Sequence, residues 1–376
     1  MLAALAGHAV LWVGIVNRVH GVGMPRWLMD GVTHACVLAF GLLPLAWVAL
    51  RWSNGLLLAD PLTGGGPAAW YLVLCLLVAA TGAAARVYAT LHPERRGALL
   101  RHDRREIDLR QQLGPEAFAP GTPRRLATLP GNELVRPVLA SKELRVPRLP
   151  AELDGYRIAH LSDLHMSGRV AMAYFQAVVD ETLNTGADLI ALTGDLVEFD
   201  PQHAWLDGTL LRLAAPDGVW FVLGNHDLRH DHAKLRRTLT AAGQFDLGGS
   251  AVDAELRGKR VRFVGNELPW FGPPGDPTGD GRPVDLTVCL AHGPDQFRWA
   301  QRHGADLILA GHNHGGQVRV PLLGAVVTPS IHGTRYAGGT FRRGRTVMHV
   351  SRGLGSLAPL RYNCPPELAL LTLRPG

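Results

Sequence analysis

Residues 156–165 read YRIAHLSDLH, an apolar run that ends in a carboxylate and an imidazole two positions apart. Four later stretches repeat the pattern: DLIALTGD (188–195), VWFVLGNHD (219–227), DLTVCLAHG (285–293) and DLILAGHNH (306–314). Short, continuously apolar runs bounded by turn residues predict strands covered on both faces. Further strands are predicted at 260–265, 325–328, 346–350 and 368–373, and helices at 171–184, 202–214, 231–242 and 294–303. Many strands with few helices predict an α/β fold, two packed mixed β-sheets flanked by helices.

All five runs end beside metal-type donors: Asp163 and His165; Asp195; Asn225, followed by His226 and Asp227; His292; and His312 with His314. In extended backbone, side chains at i and i+2 share a side, so Asp163 and His165 are expected to grip one ion. Carboxylates, imidazoles and one amide oxygen, without thiolate, suit Mn, Fe or Zn. Seven such donors are too many for one ion and suit two divalent ions sharing a carboxylate. Two ions about 3.5–4 Å apart clamp the attacking and leaving oxygens of a phosphoryl group and acidify a water between them. Each motif alone is weak, but all five in this order point to metal-dependent phosphoester chemistry.

The charge is unevenly distributed. Residues 1–90 hold four Arg and two Asp, residues 91–150 twelve Lys/Arg against seven Asp/Glu, and residues 151–376 twenty-two against twenty-three. The basic character therefore belongs to a region beside apolar segments, where anionic lipid headgroups attract it, and no nucleic-acid partner is expected. Residues 27–50 and 67–90 are each long and apolar enough to span a bilayer, with Trp27, Trp47, Trp52, Trp70 and Tyr88 near their ends. Residues 1–16 form a third, shorter apolar segment, either a span or an interfacial helix. The organisation expected is a membrane anchor over 1–90, a basic linker over 91–136 and a catalytic domain over 137–376. Arg86, Arg95, Arg96, Arg101, Arg104 and Arg105 cluster after the second long span, which places the catalytic domain in the cytoplasm of a multi-pass cell-membrane protein. Cys36, Cys75, Cys289 and Cys364 show no metal-ligand spacing and read as small buried residues. His160, His203, His230, His232, His303, His332 and His349 lack motif context and read as surface or core residues. No obligate protein partner is evident.

The set DLH, GDLVE, GNHD, AHGPD and GHNHGG resembles the calcineurin-like metallophosphoesterase superfamily. The opening LDGYRIAHLSDLH, the later SRGLGS and PPEL, and the preceding apolar segments resemble its bacterial membrane-associated phosphodiesterase branch. The resemblance covers about residues 137–375 and implies a four-layer sandwich and hydrolysis by a metal-bridging hydroxide. It implies one ion on Asp163, His165 and His314, a second on Asn225, His292 and His312, and Asp195 as the bridge. His226 would act as non-ligand acid, oriented by Asp227. The family commonly writes GDxxD where this chain has Glu198, which lengthens the supporting arm. Members of the branch are associated with UDP-diacylglucosamine-type pyrophosphates, although those enzymes carry GNRD where this chain has GNHD. A membrane-associated phosphodiester or pyrophosphate is therefore the expected substrate. A phosphatase or nuclease acting on soluble phosphates, and a non-enzymatic scaffold, are the alternatives. Arg352 is a candidate substrate-phosphate contact, with Arg361 beside it, and Trp270 and Phe271 are either an apolar rim or a loop anchor.

Overall fold

The computed structural model describes residues 1–56, 59–60, 66–91, 97–118, 129–356 and 358–376. They divide into a helical unit, Met1–Glu94 with Pro329–Gly333, and a larger unit, Arg95–Thr328 with Thr334–Gly376.

The helical unit contains α1 (Leu2–His20), α2 (Arg26–Ser53) and α3 (Gly66–Leu91). All three contain stretches long and apolar enough to cross a membrane, so the ambiguous first segment is a complete helix. Exposed Val37, Leu38, Leu42 and Leu45 on α2 suit hydrocarbon better than water. His8 of α1 ties the helices together: Nδ1 lies 2.6 Å from the Tyr71 hydroxyl of α3, and Nε2 lies 2.9 Å from the Phe40 carbonyl of α2. A Cβ on Gly7 would stand 1.7 Å from the Cys75 carbonyl oxygen, the close helix approach that small residues permit in membranes. The backbone of Ser330 and Ile331 packs against Gly21 in the same unit.

In the larger unit, β3 (Arg157–Leu161), β4 (Leu189–Thr193), β5 (Val219–Val222) and β6 (Phe245–Asp246) run parallel. Together with β1 (Leu99–Glu106), β2 (Val138–Val146) and β15 (Glu367–Pro375) they form a seven-stranded sheet ordered β1-β2-β15-β3-β4-β5-β6. A six-stranded sheet has β8 (Lys259–Asn266), β9 (Leu286–Ala291), β10 (Leu307–Ala310) and β14 (Thr346–Val350) in parallel. Antiparallel β7 (Ala251–Leu256) and β13 (Gly339–Arg343) close its edges. The hairpin β11 (Arg319–Val320) and β12 (Gly324–Ala325) stands apart.

The layers follow from side-chain alternation along the strands. Ile158, Leu189, Ala191 and Val222 face Val288, Leu290, Leu307 and Val347 between the sheets. Ala159, Leu161, Ile190 and Leu192 turn the other way, onto Tyr174, Phe175 and Val178 of the helix Met172–Asn184. Ile308, Ala310 and Met348 cover Phe297 and Ala300 of the helix Phe297–Arg302 on the far side. Helix, sheet, sheet and helix make the expected sandwich.

The differences from expectation are local. Part of the segment expected as a linker over 91–136 is structured: β1 is an edge strand paired with β2, and the helix Leu109–Leu113 follows it. Every residue of LLRHDRRE is exposed, so β1 carries no apolar alternation to announce it. The stretch APGTPR and most of the next residues, 119–128, lie outside the described residues. The helix expected at 202–214 is two 3₁₀ turns, Asp200–Trp205 and Leu210–Arg212. Gly208 interrupts it, and a Cβ there would meet Met172 at 2.3 Å. The strand expected at 325–328 shrinks to Gly324–Ala325, with Pro321 before it and Pro329 after it. All four cysteines are buried and unpaired with one another.

A fully buried polar chain links the two sheets. Lys142 Nζ of β2 lies 2.8 Å from Glu367 Oε1 of β15 and 2.8 Å from His349 Nε2 of β14. His349 Nδ1 lies 2.8 Å from His160 Nδ1 on β3, and His160 Nε2 lies 2.8 Å from Thr193 Oγ1. Lys142 can only donate, so one proton order fits throughout: Lys142 to His349, His349 to His160, His160 to Thr193, with both imidazoles neutral. Burial, then the Lys142 charge, pushes His349 down to about 4 from its ordinary 6.5. The unfolded chain therefore takes up a proton that the fold refuses. The stability contributed by neutral His349 is present above pH 6.5 and is lost as pH falls towards 4. Thermal unfolding followed by circular dichroism should show Tm falling across this window, with a shallower fall in His349→Gln. Lys142→Met, which strips Glu367 of its closest cation, should cost about 3–5 kcal/mol in denaturant unfolding.

Candidate metal centre

The five motif loops leave the C-terminal ends of parallel β3, β4, β5, β9 and β10, the edge at which open α/β sheets bind ligands. The turns there are tight. Asp163, His165, Asp195, His312 and His314 all adopt left-handed backbone, with φ between 43° and 69°. Such conformations cost about 1–3 kcal/mol each in non-glycine residues and persist where the surroundings enforce them. Asp163 and His165 thus converge through two left-handed turns and not through the extended i, i+2 geometry read from the sequence. A Cβ on Gly224 would fall 2.2 Å from Asp195 Oδ1, and one on Gly311 would fall 1.8 Å from Ser162 Oγ, so both positions require glycine.

The structure gathers the seven expected donors into adjoining groups. Asp163, His165 and His314 form one; Asp195, His292 and His312 form another. Asn225 Oδ1 lies 3.1 Å from His292 Nε2, and Asp195 Oδ2 lies 3.4 Å from both His165 Nε2 and His292 Nε2. Asp195 therefore stands between the groups. A third overlapping group adds His226 to His165 and Asp195. His165 Nε2 and His314 Nε2 are 3.0 Å apart, and His292 Nε2 and His312 Nδ1 are 3.1 Å apart. Nitrogens bound to a divalent ion at about 2.0–2.1 Å stand roughly 3.0–3.4 Å from one another, so the residues present fit a metal.

Supporting contacts set the tautomers. His292 Nδ1 donates to the Thr193 carbonyl at 2.7 Å, leaving Nε2 to face the site. The same threonine ends the buried chain from Lys142. His165 Nδ1 and His226 Nδ1 lie 2.9 and 2.8 Å from Glu198 Oε2. Backbone N–H groups of His312 and His226 donate to Asp163 and Asp195 respectively. Burial alone would raise Glu198, but the two histidines more than reverse this and hold it at about 2. Burial also opposes a charged His292, yet Asp195, and then Asp163, hold it up at about 9. For His226 burial prevails over Asp195 and Glu198, and its pKa lies below the ordinary value.

One expectation is corrected. Asp227 does not orient His226: its carboxylate accepts from the backbone N–H groups of Leu196, Val197 and Gly224, and Glu198 takes the orienting role. The longer arm of Glu198 is what spans both rings. Arg352, expected as a substrate-phosphate contact, has its Nε 3.6 Å from Glu367 Oε2, and a Cβ on Gly315 of the GHNHGG loop would meet its Cγ at 3.1 Å. Arg361 is fully buried behind His314, its NH2 3.3 Å from Nδ1. Trp270 is half-buried, with its ring 4.7 Å from that of His312 and 5.2 Å from that of His292. Of the two readings the sequence left open for Trp270, apolar rim or loop anchor, its place against two donor imidazoles favours the rim.

A sequence model of the calcineurin-like phosphoesterase family matches residues 156–316, the span of all five loops. The chain is 33% identical over 223 residues to the phosphodiesterase YaeI of Escherichia coli strain K12, covering 58% of this chain and 82% of that protein. The chain belongs to the calcineurin-like phosphoesterase family. It is also 29% identical over 235 residues to the uncharacterized metallophosphoesterase YkuE of Bacillus subtilis, covering 60% of this chain and 82% of that one. A third relative, the UDP-2,3-diacylglucosamine pyrophosphatase LpxG of Chlamydia trachomatis, is 25% identical over 284 residues, with 60% and 86% covered. The family is one of hydrolases, and this member is an enzyme acting on phosphoesters.

In this phosphoesterase Glu198→Gln keeps the shape of the support and removes its charge. Metal affinity, measured by titration of the apoprotein, should weaken about 10–100-fold. Asp227→Asn should act on stability: either orientation of the amide turns an NH2 onto a backbone N–H, costing about 1–3 kcal/mol in denaturant unfolding.

Proposed function

We propose that this enzyme hydrolyses a phosphodiester or pyrophosphate bond of a membrane-associated, lipid-linked substrate at two divalent ions. One ion would be held by Asp163, His165 and His314, the other by Asn225, His292 and His312, with Asp195 shared. The observation that carries the reading is Asp195 Oδ2 at 3.4 Å from one imidazole of each group. When bound, such ions supply positive charge to the phosphoryl oxygens and lower the pKa of a water. The protein's own contribution is orientation and proton handling. Glu198 fixes the His165 and His226 rings together, the latter packed edge-on to the former at 4.7 Å between centroids. His226 lies beside Asp195, and its Nε2 is the atom that would pass a proton to the departing oxygen.

The lipid-linked substrate is supported by the three apolar helices on the same chain and by the resemblance to the LpxG pyrophosphatase. The basic residues Arg101, Arg104 and Arg105, soon after α3, favour a cytoplasmic catalytic unit at the cell membrane.

The test is hydrolysis of an aryl phosphodiester by the full chain with Mn(II), with a chelator, and in Asp195→Asn and His226→Ala. Turnover should depend on metal and fall about 10²–10⁴-fold in His226→Ala. Chelator-resistant turnover, or an unaffected Asp195→Asn, would sink the metal reading. Comparing acylated with deacylated nucleotide-sugar pyrophosphates tests the substrate: equal rates would contradict the lipid-linked assignment.

A further inference from the structure

The hairpin that follows the GHNHGG loop has the wrong surface for water. Its turn presents Leu322, 98% exposed, and Leu323, 57% exposed; Val318, Val320 and Val327 are exposed around them. Outside the N-terminal helices, no other ten-residue stretch among the described residues exposes five large apolar side chains. Leu322 is moreover held at φ 66°, a left-handed conformation uncommon for a bulky side chain. An apolar tip of this kind marks an interaction surface.

The surroundings indicate what covers it. Between Asp306 and Glu367 the chain has seven arginines and no acidic residue. Arg319 starts the hairpin, exposed Arg335 follows it, and half-exposed Tyr362 pairs with its root through the Arg319 N–H. Arg352 faces Glu367 and Arg361 is buried, but Arg319 and Arg335 flank the hairpin with no acidic residue near them in sequence. Apolar tip, aromatic at the base and flanking arginines are the composition of a segment seated at an anionic bilayer surface. A second copy of the chain would bring its own positive charge against these arginines. The chain also re-enters the helical unit at Pro329, four residues beyond the hairpin. The same chain thus carries the helices that put a bilayer within reach.

We propose that the hairpin tip, Leu322 and Leu323, inserts into the bilayer in which the helices lie and seats the catalytic unit on its surface. The root of the hairpin rests on the metal-site loop: a Cβ on Gly316 would stand 2.5 Å from the Ala325 Cβ. Insertion thereby holds the mouth of the site at headgroup level. This deepens the lipid-linked reading of the site by supplying the surface from which such a substrate would enter, but it concerns docking and is tested without turnover.

The four native cysteines are buried, so Leu322→Cys can be labelled with an environment-sensitive fluorophore in the full chain. After reconstitution into vesicles containing anionic lipid, its emission should shift to the blue and be quenched by lipids brominated in the upper acyl chain. A label at exposed Asp207→Cys should do neither. Equal, unquenched emission at both positions would overturn the proposal. So would a blue shift at 322 without lipid quenching, since protein would then be the cover. Independently, Leu322→Glu with Leu323→Glu should leave hydrolysis of a soluble aryl ester unchanged. The same variant should slow a long-chain ester presented in the bilayer about tenfold, the scale of one lost buried leucine. An unchanged ratio of the two rates would also contradict insertion.

Discussion

Two fully buried carboxylates, Asp163 and Asp195, lie among the imidazoles of His165, His226, His292, His312 and His314. Removing a carboxylate from water costs several kcal/mol unless positive charge or donors replace the solvent. Everything around the site answers that cost. Backbone N–H groups reach both carboxylates, left-handed turns aim the side chains inwards, and glycines let the neighbouring loops approach. What remains is a set of inward-facing donors at the spacing of metal ligands.

Holding so many donors in strained turns requires a rigid base. The parallel strands that carry the loops are apolar on both faces because they are sandwiched between a second sheet and a helix. The polar exception, the chain from Lys142 through His349 and His160 to Thr193, crosses the inter-sheet layer and ends on a residue that also positions His292. Stability and site orientation therefore share atoms. Thr193 couples the two: its hydroxyl meets the core, and its carbonyl meets the metal site.

Much of this was legible in the sequence because its physics is local. The runs at 156–162, 188–193, 219–223, 285–291 and 306–310 are apolar enough to be strands without context, and their donors follow at once. The orienting partner of His226 was not legible. Asp227 is its neighbour in sequence, but the turn directs that carboxylate at backbone N–H groups, whereas Glu198 arrives from another loop. The carboxylate nearest the Arg352 guanidinium was equally hidden, since Glu367 stands fifteen positions on, at the start of β15. The edge strand β1 was hidden for the opposite reason: its pairing is entirely backbone, and its side chains are charged and exposed. Trp270 was legible only as one of two alternatives, because nothing in its Pro- and Gly-rich loop fixes which way the ring turns; it reaches His312.

The central claim is that Asp195 is shared by two ions. The most direct measurement is anomalous diffraction from crystals grown with Mn(II). Two peaks about 3.5–4 Å apart, both bonded to Asp195, are predicted. One should be flanked by Asp163, His165 and His314, and the other by Asn225, His292 and His312. A single peak, or two that leave Asp195 unbonded, would contradict the account.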